Sequence, residues 1–140
     1  MISKDIIGRE SNPVRIKIES HMVRRFAEAA GIPFSNQVPP TFVGTFGEGG
    51  IDGVDLLQYE TIHVEQKITY YQPVSIGDCI TYTRRITDVY ERVGRLGKMI
   101  FIVIETKGRN PAGEPVFSCS STMLVLGRRA EDETPLGLSG

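Results

Sequence analysis

The chain has 140 residues, 40% of them apolar and 24% charged, with 16 basic and 17 acidic side chains and a formal net charge of −1. That length and apolar content suit one domain with a core of its own. The near-cancelling charges argue against a global field for nucleic acid or an anionic membrane, and no stretch approaches the roughly 20 apolar residues of a membrane span.

Residues 1–12 are mainly polar with an Ile6-Ile7 pair and read as an arm docked on the domain. From Pro13 to Ile18, Val14, Ile16 and Ile18 alternate with Arg15 and Lys17, the period of a half-buried strand. Ser20 can cap a helix in which Val23, Phe26, Ala27 and Ala30 recur at helical spacing; Arg24, Arg25 and Glu28 face water, and Gly31-Ile32-Pro33 ends it. After a short loop, Pro39-Pro40 can open a second helix with Phe42, Val43 and Phe46 on its apolar face. Gly44, Gly47, Gly49 and Gly50 each weaken that helix by about 1 kcal/mol relative to alanine, so it must be held by its surroundings. Asp52 to Tyr59 can add a short helix with Val54, Leu56 and Leu57 inside.

Strands follow. Ile62, Val64, Ile68 and Tyr70 alternate with His63, Glu65, Lys67 and Thr69, and Gly77-Asp78 marks the sharpest point of the next turn. Ile80, Tyr82 and Ile86 alternate with Thr81, Thr83 and Thr87 in a strand ending near Glu91, and Gly94 to Gly97 breaks the chain. Met99 to Ile104 is apolar at every position, which predicts a strand covered on both faces. Asn110-Pro111-Ala112-Gly113 is a hairpin turn before a last strand from Val116 to Leu126, and residues 130–140 read as a flexible tail behind a single domain spanning 1–129. Cys79 and Cys119 fall inside strands without metal-ligand spacing, so both read as buried free thiols, with no metal and no cofactor implied. The N-terminus has no apolar signal core, which points to the cytoplasm.

Helix first and antiparallel sheet after is an α+β pattern. Val23-Arg24-Arg25-Phe26-Ala27-Glu28-Ala29, then Pro39-Pro40-Thr41-Phe42, then His63-Val64-Glu65-Gln66 with Gln72-Pro73-Val74 and Gly77-Asp78, and last Asn110 to Val116 with Ser121-Thr122, occur in an order that resembles the N-terminal domain of MaoC-like dehydratases. This is the FAS1-like dehydratase and (R)-hydratase branch of the hot-dog fold. The resemblance implies a curved antiparallel sheet wrapped around a central helix. It implies (R)-specific hydration of 2-enoyl thioesters, or dehydration of 3-hydroxyacyl thioesters, on CoA or acyl carrier protein.

That chemistry needs an acid/base group and donors that polarise the thioester carbonyl. Family hydratases carry an Asp and a His about five residues apart, as Gly-Asp-x-Asn-Pro-x-His or similar, after the first helix. Here the stretch is Gly31-Ile32-Pro33-Phe34-Ser35-Asn36: Ile32 stands where the Asp would be, and no histidine occurs between there and His63. No catalytic residue is carried over. His63 and Asp52 remain as candidates for an atypical acid/base, against the plainer reading of a surface histidine and a solvated loop carboxylate. Phe42, Val43 and Phe46 either line an acyl channel or fill the core. Arg84 and Arg85, in a cluster with Arg92, Arg95 and Lys98, either meet the phosphates of CoA or face water.

The expected function is a hydratase or dehydratase subunit lacking the acid/base pair and acting with a second, catalytic MaoC-like chain. The rival readings are a non-enzymatic acyl-CoA-binding homodimer and an atypical hot-dog thioesterase. The implied partners are an acyl-CoA or acyl carrier protein thioester and either a second copy or a second subunit; no nucleic acid and no membrane are implied.

Overall fold

The computed structural model describes residues 2–46, 50–51, 54–95 and 97–128. Five antiparallel strands, β1 Val14–Lys17, β2 Tyr59–Tyr70, β3 Cys79–Gly94, β4 Gly97–Arg109 and β5 Pro115–Arg128, form one sheet in the order β1-β3-β4-β5-β2. The helix α1, Ser20–Ala30, lies between β1 and β2 in sequence and packs on one face of the sheet. This is the α+β hot-dog arrangement that the resemblance implies.

Helix α1 has the expected bounds. It buries Val23 and Ala27, half-buries Met22 and Phe26, and exposes Arg24, Arg25 and Glu28. Gly31 ends it with φ 71°, where the glycine and Ile32 N–H groups donate to the carbonyls of Glu28 and Ala27. The left-handed geometry suits a residue without Cβ. Ser20 is not the cap: Glu19 holds that position in extended backbone and makes no side-chain capping bond.

Five further expectations change. The helix after Pro40 shrinks to a single 3₁₀ turn, Phe42–Thr45, and the one before β2 to another, Leu56–Gln58. In the first, glycine content removes the propensity that would extend a helix, while the sheet still buries Phe42, Val43 and Phe46. The alternation of β2 is broken by a bulge between His63 and Glu65. Ile62 and Val64 are therefore out of phase with Ile68 and Tyr70, and are 47% and 49% exposed. On β4 only one face is fully covered: Ile102 and Ile104 are buried, whereas Phe101 and Val103 are half-buried. Cys119 is a buried free thiol, but Cys79 is only half-buried. The expected tail and Asp52 lie outside the described residues.

The register defines an inner face of four rows. Tyr82, Gly108, Phe117 and Tyr70 form the first, Arg84, Thr106, Cys119 and Ile68 the second. Ile86, Ile104, Ser121 and Gln66 form the third, and Val89, Ile102, Met123 and His63 the fourth. One core cluster joins α1 and the Phe42 turn to the first rows, with Phe46 stacked on Tyr82 at 5.1 Å and edge-on to Phe117 at 5.8 Å. A second cluster lies under the N-terminal arm, where Ile2 and Ile6 cover Ile86, Val89 and Ile102. The arm is held as well as packed: Gly8 N–H donates to the Ile86 carbonyl at 2.8 Å, Ile86 N–H to Arg9 at 3.0 Å and Ser11 N–H to Arg84 at 2.8 Å.

Candidate functional site

A cleft of about 640 Å³ opens where the 36–40 loop faces the end of β2 and the turn after it. Its volume is that of a small-molecule site, which runs roughly 300–1,000 Å³. Asn36, Gln37, Val38 and Pro40 form one wall; Tyr70 to Ser75 form the other. The second wall is tied to β5 and to β1. Tyr71 N–H donates to the Val116 carbonyl at 2.8 Å and the Gln72 side chain to the Pro115 carbonyl at 3.0 Å. Gly77 N–H donates to the Ile18 carbonyl at 2.7 Å, and the Asp78 carboxylate accepts from Ser75 N–H at 2.8 Å. The two walls meet where the Tyr70 hydroxyl donates to the Pro40 carbonyl. Val38 and Val74 line the cleft and also pack on the first core cluster, so its apolar floor is continuous with the core.

Among the described residues the cleft is neutral: its polar groups are the amides of Asn36, Gln37 and Gln72 and the hydroxyls of Tyr70, Tyr71 and Ser75, with no carboxylate, imidazole or cation lining it. Burial, and secondarily the nearby Cys119 thiol, raise the Tyr70 phenol above its ordinary range. Tyr70 therefore stays protonated and acts as a donor. These groups can hold an apolar chain and pair with amides, but none is poised to exchange a proton near neutral pH.

A second polar group lies on the inner face beside the Phe42 turn. The Gln66 amide reaches both the Gly44 carbonyl and the Ser121 hydroxyl at 3.4 Å, and Ser121 Oγ lies 3.8 Å from Cys119 Sγ. Burial raises the Cys119 thiol above its ordinary range, against the opposing hydrogen bonds from Ser121 and Gln66. This thiol is protonated and inert as a nucleophile.

The residues singled out from sequence are spread apart. His63 sits on β2 in the row of Met123 and is exposed, on the order of 20 Å from Tyr70 along the strand at about 3.3 Å per residue. Asp52 lies outside the described residues. Phe42, Val43 and Phe46 are 3%, 1% and 7% exposed and sit in the core behind Val38 and Val74, with Phe42 edge-on to Phe26 at 5.6 Å. Arg84 is half-buried on the inner face between Tyr82 and Ile86, where burial lowers its guanidinium from the ordinary value. Arg85 is exposed, and its guanidinium lies 4.0 Å from Glu10. Neighbours on a strand point to opposite faces, so the two arginines do not share a site. Asn36, Gln37 and Gln72, which line the cleft, were not singled out as site residues from sequence; the signal for the first two was their place at the end of the stretch that lacks Asp and His and directly after it.

Comparison with known proteins completes the description. The family model for the FAS1-like, dehydratase domain region matches residues 34–119. No curated protein matches the chain in sequence. Among solved structures, a chain of the C-terminally truncated HadBC (3R-hydroxyacyl-ACP dehydratase) complex from Mycobacterium tuberculosis is 22% identical with a TM-score of 0.67, over 88% of this chain and 99% of that one. A chain of the ChsH1-ChsH2 complex from the same organism is 16% identical with a TM-score of 0.63, over 86% of each chain. The (R)-hydratase from A. caviae involved in PHA biosynthesis is 15% identical with a TM-score of 0.54, over 84% of this chain and 94% of that one. At these identities the structural likeness is one of fold.

Proposed function

The chain belongs to the FAS1-like dehydratase family, and from that premise we propose that it is a subunit of an (R)-specific enoyl-thioester hydratase or 3-hydroxyacyl-thioester dehydratase. It is the half that holds substrate, while a second family chain brings the acid and base. The observation that carries this reading is the chemistry of the cleft. Ile32, where the family's Asp would stand, is 41% exposed. Gln37, five residues on, lines the cleft with an amide that cannot exchange a proton. The walls remain suited to a thioester arm: Val38, Pro40, Pro73 and Val74 offer apolar contact, and Asn36, Gln37 and Gln72 offer partners for its amides. In this reading the acyl chain points toward the core residues Phe42, Val43 and Phe46. Two of the similar structures are chains of two-component complexes, HadBC and ChsH1-ChsH2, which supports pairing with a second subunit.

The test is enoyl-CoA hydration by the pure chain and by the chain co-purified with a family member that carries the Asp and His. The pure chain is expected to be inactive, because acid/base help commonly contributes ~10²–10⁴-fold. The complex is expected to exceed the partner alone. Turnover on the order of 10 per second by the pure chain, in a preparation free of host hydratase, would overturn the reading.

A further inference from the structure

We propose that the outer face of the sheet beside Tyr71 binds the phosphate of a phosphorylated pantetheine arm, held by Lys107 and Arg109. The inference rests on the thioester reading above and adds the part of the substrate that lies outside the cleft. It starts from a pocket of about 210 Å³ lined by Tyr71, Lys107, Arg109 and Ser118 around Gly108. Tyr71 also lines the larger cleft, so this one residue borders both spaces. It is 57% exposed. A chain leaving the neutral cleft passes over it and reaches two cations.

The register explains why the cations gather there. On the outer face Arg15, Thr81 and Arg109 form one row, and Thr83, Lys107, Ser118 and Thr69 form the next. Lys17 extends the positive edge along β1. Among the described residues, two nearby carboxylates are each engaged. Glu114 accepts from the Asn110 side-chain amide at 2.9 Å at the hairpin tip. Glu105, half-buried, lies 3.7 Å from Lys107, whose ammonium is largely exposed and free to turn to a phosphate. The whole chain is close to neutral, so this corner is a local concentration of positive charge.

The donor set fits a phosphate. Arg109 Nη1 donates to the Gly113 carbonyl at 3.1 Å, which steadies the guanidinium and uses one of its five N–H donors. Lys107 adds a mobile point charge, and Arg supplies the fork that matches phosphate oxygens. The Ser118 and Tyr71 hydroxyls, 3.4 Å apart, add neutral donors on the floor. Within the cleft, the amides of Asn36, Gln37 and Gln72 match those of the pantetheine arm.

The test is calorimetric titration of the pure chain with 4′-phosphopantetheine, pantetheine, coenzyme A and adenosine 3′,5′-bisphosphate. Phosphopantetheine and coenzyme A should bind about tenfold or more tightly than pantetheine, with the advantage falling as salt rises. Replacing both cations (Lys107→Ala with Arg109→Ala) should remove that advantage and leave pantetheine binding and the melting temperature unchanged. Arg92→Ala, at the opposite end of the sheet, should change nothing. Competition by the adenosine bisphosphate identifies the free coenzyme as the source of the phosphate. Its failure to compete, with phosphopantetheine still bound, identifies an arm carried on a protein.

A folded double variant that binds phosphopantetheine as wild type does would overturn the phosphate site and leave the thioester reading standing. An equal loss in Arg92→Ala would overturn it too, as a long-range charge effect. Failure of all four probes to bind would overturn both.

Discussion

Tyr70 is the side chain on which the candidate site most depends. Its ring faces the cleft, and its hydroxyl fastens the 36–40 loop to the end of β2. The same burial that shapes the cleft raises its phenol above the ordinary 10.0 and helps raise the Cys119 thiol above its ordinary 9.0. Both groups therefore keep their protons to higher pH in the folded chain than in the unfolded one. The stability linked to them is intact below about pH 9 and is lost as pH rises further, because the unfolded state ionises first. Urea midpoints measured from neutrality upward should fall past about pH 9. Tyr70→Phe should flatten the fall above the phenol's ordinary range, at a cost near neutrality of about 1 kcal/mol for the lost bond to Pro40. A wild-type midpoint that rises across this alkaline range would contradict the assigned burial.

At the scale of elements, two glycines let backbone and side chains approach closely, with different consequences. A Cβ at Gly108, in β4, would lie 2.2 Å from the ring of Phe117, itself 1% exposed in the first core cluster. That ring has no open space to move into, so Gly108→Ala should cost about 1–3 kcal/mol through overpacking. A Cβ at Gly44 would lie 2.6 Å from Gln66 Oε1, the far end of a flexible and exposed side chain. Gly44→Ala should displace that amide from the Gly44 carbonyl and Ser121 with a smaller loss, below about 1 kcal/mol. Thermal melts of the two variants should rank them in that order. The reverse ranking would mean that the 3₁₀ turn at Phe42–Thr45, rather than the middle of the sheet, is the tightly packed part.

The whole molecule has one long unpaired border among the described residues. β1 is only four residues long, and the outer edge of β3 is partly covered by residues 8–11. β2 presents 12 residues beyond which no strand pairs, most of them exposed. A long open edge is a template for pairing with another chain. The candidate cleft lies at one end of that edge, where a second subunit could bring its own groups to the bound arm. Light scattering on the purified chain should return about twice its mass of 15.5 kDa, through edge-to-edge pairing of β2. A stable monomer at micromolar concentration would count against β2 as an edge that pairs with a second copy of this chain.

Much of this was legible along the chain because its causes are local. Helical spacing and Gly31 mark α1, alternation marks β1 and β3, an unbroken apolar run marks β4, and Asn110-Pro111-Ala112-Gly113 marks the last hairpin. The missing Asp and His needed no structure to see. What tertiary structure alone decided depends on contacts between distant residues. The bulge at Val64 comes from how β2 registers on β5, and it puts His63 in the row of Met123. The apolar residues after Pro40 looked the same for a helix as for a single buried turn, and their packing against Tyr82 and Phe117 settled which. The cleft and the cation pair beside it have no local signature. Asn36 and Gln72, Tyr71 and Lys107, are far apart in sequence, and only the closure of the sheet brings them to one place.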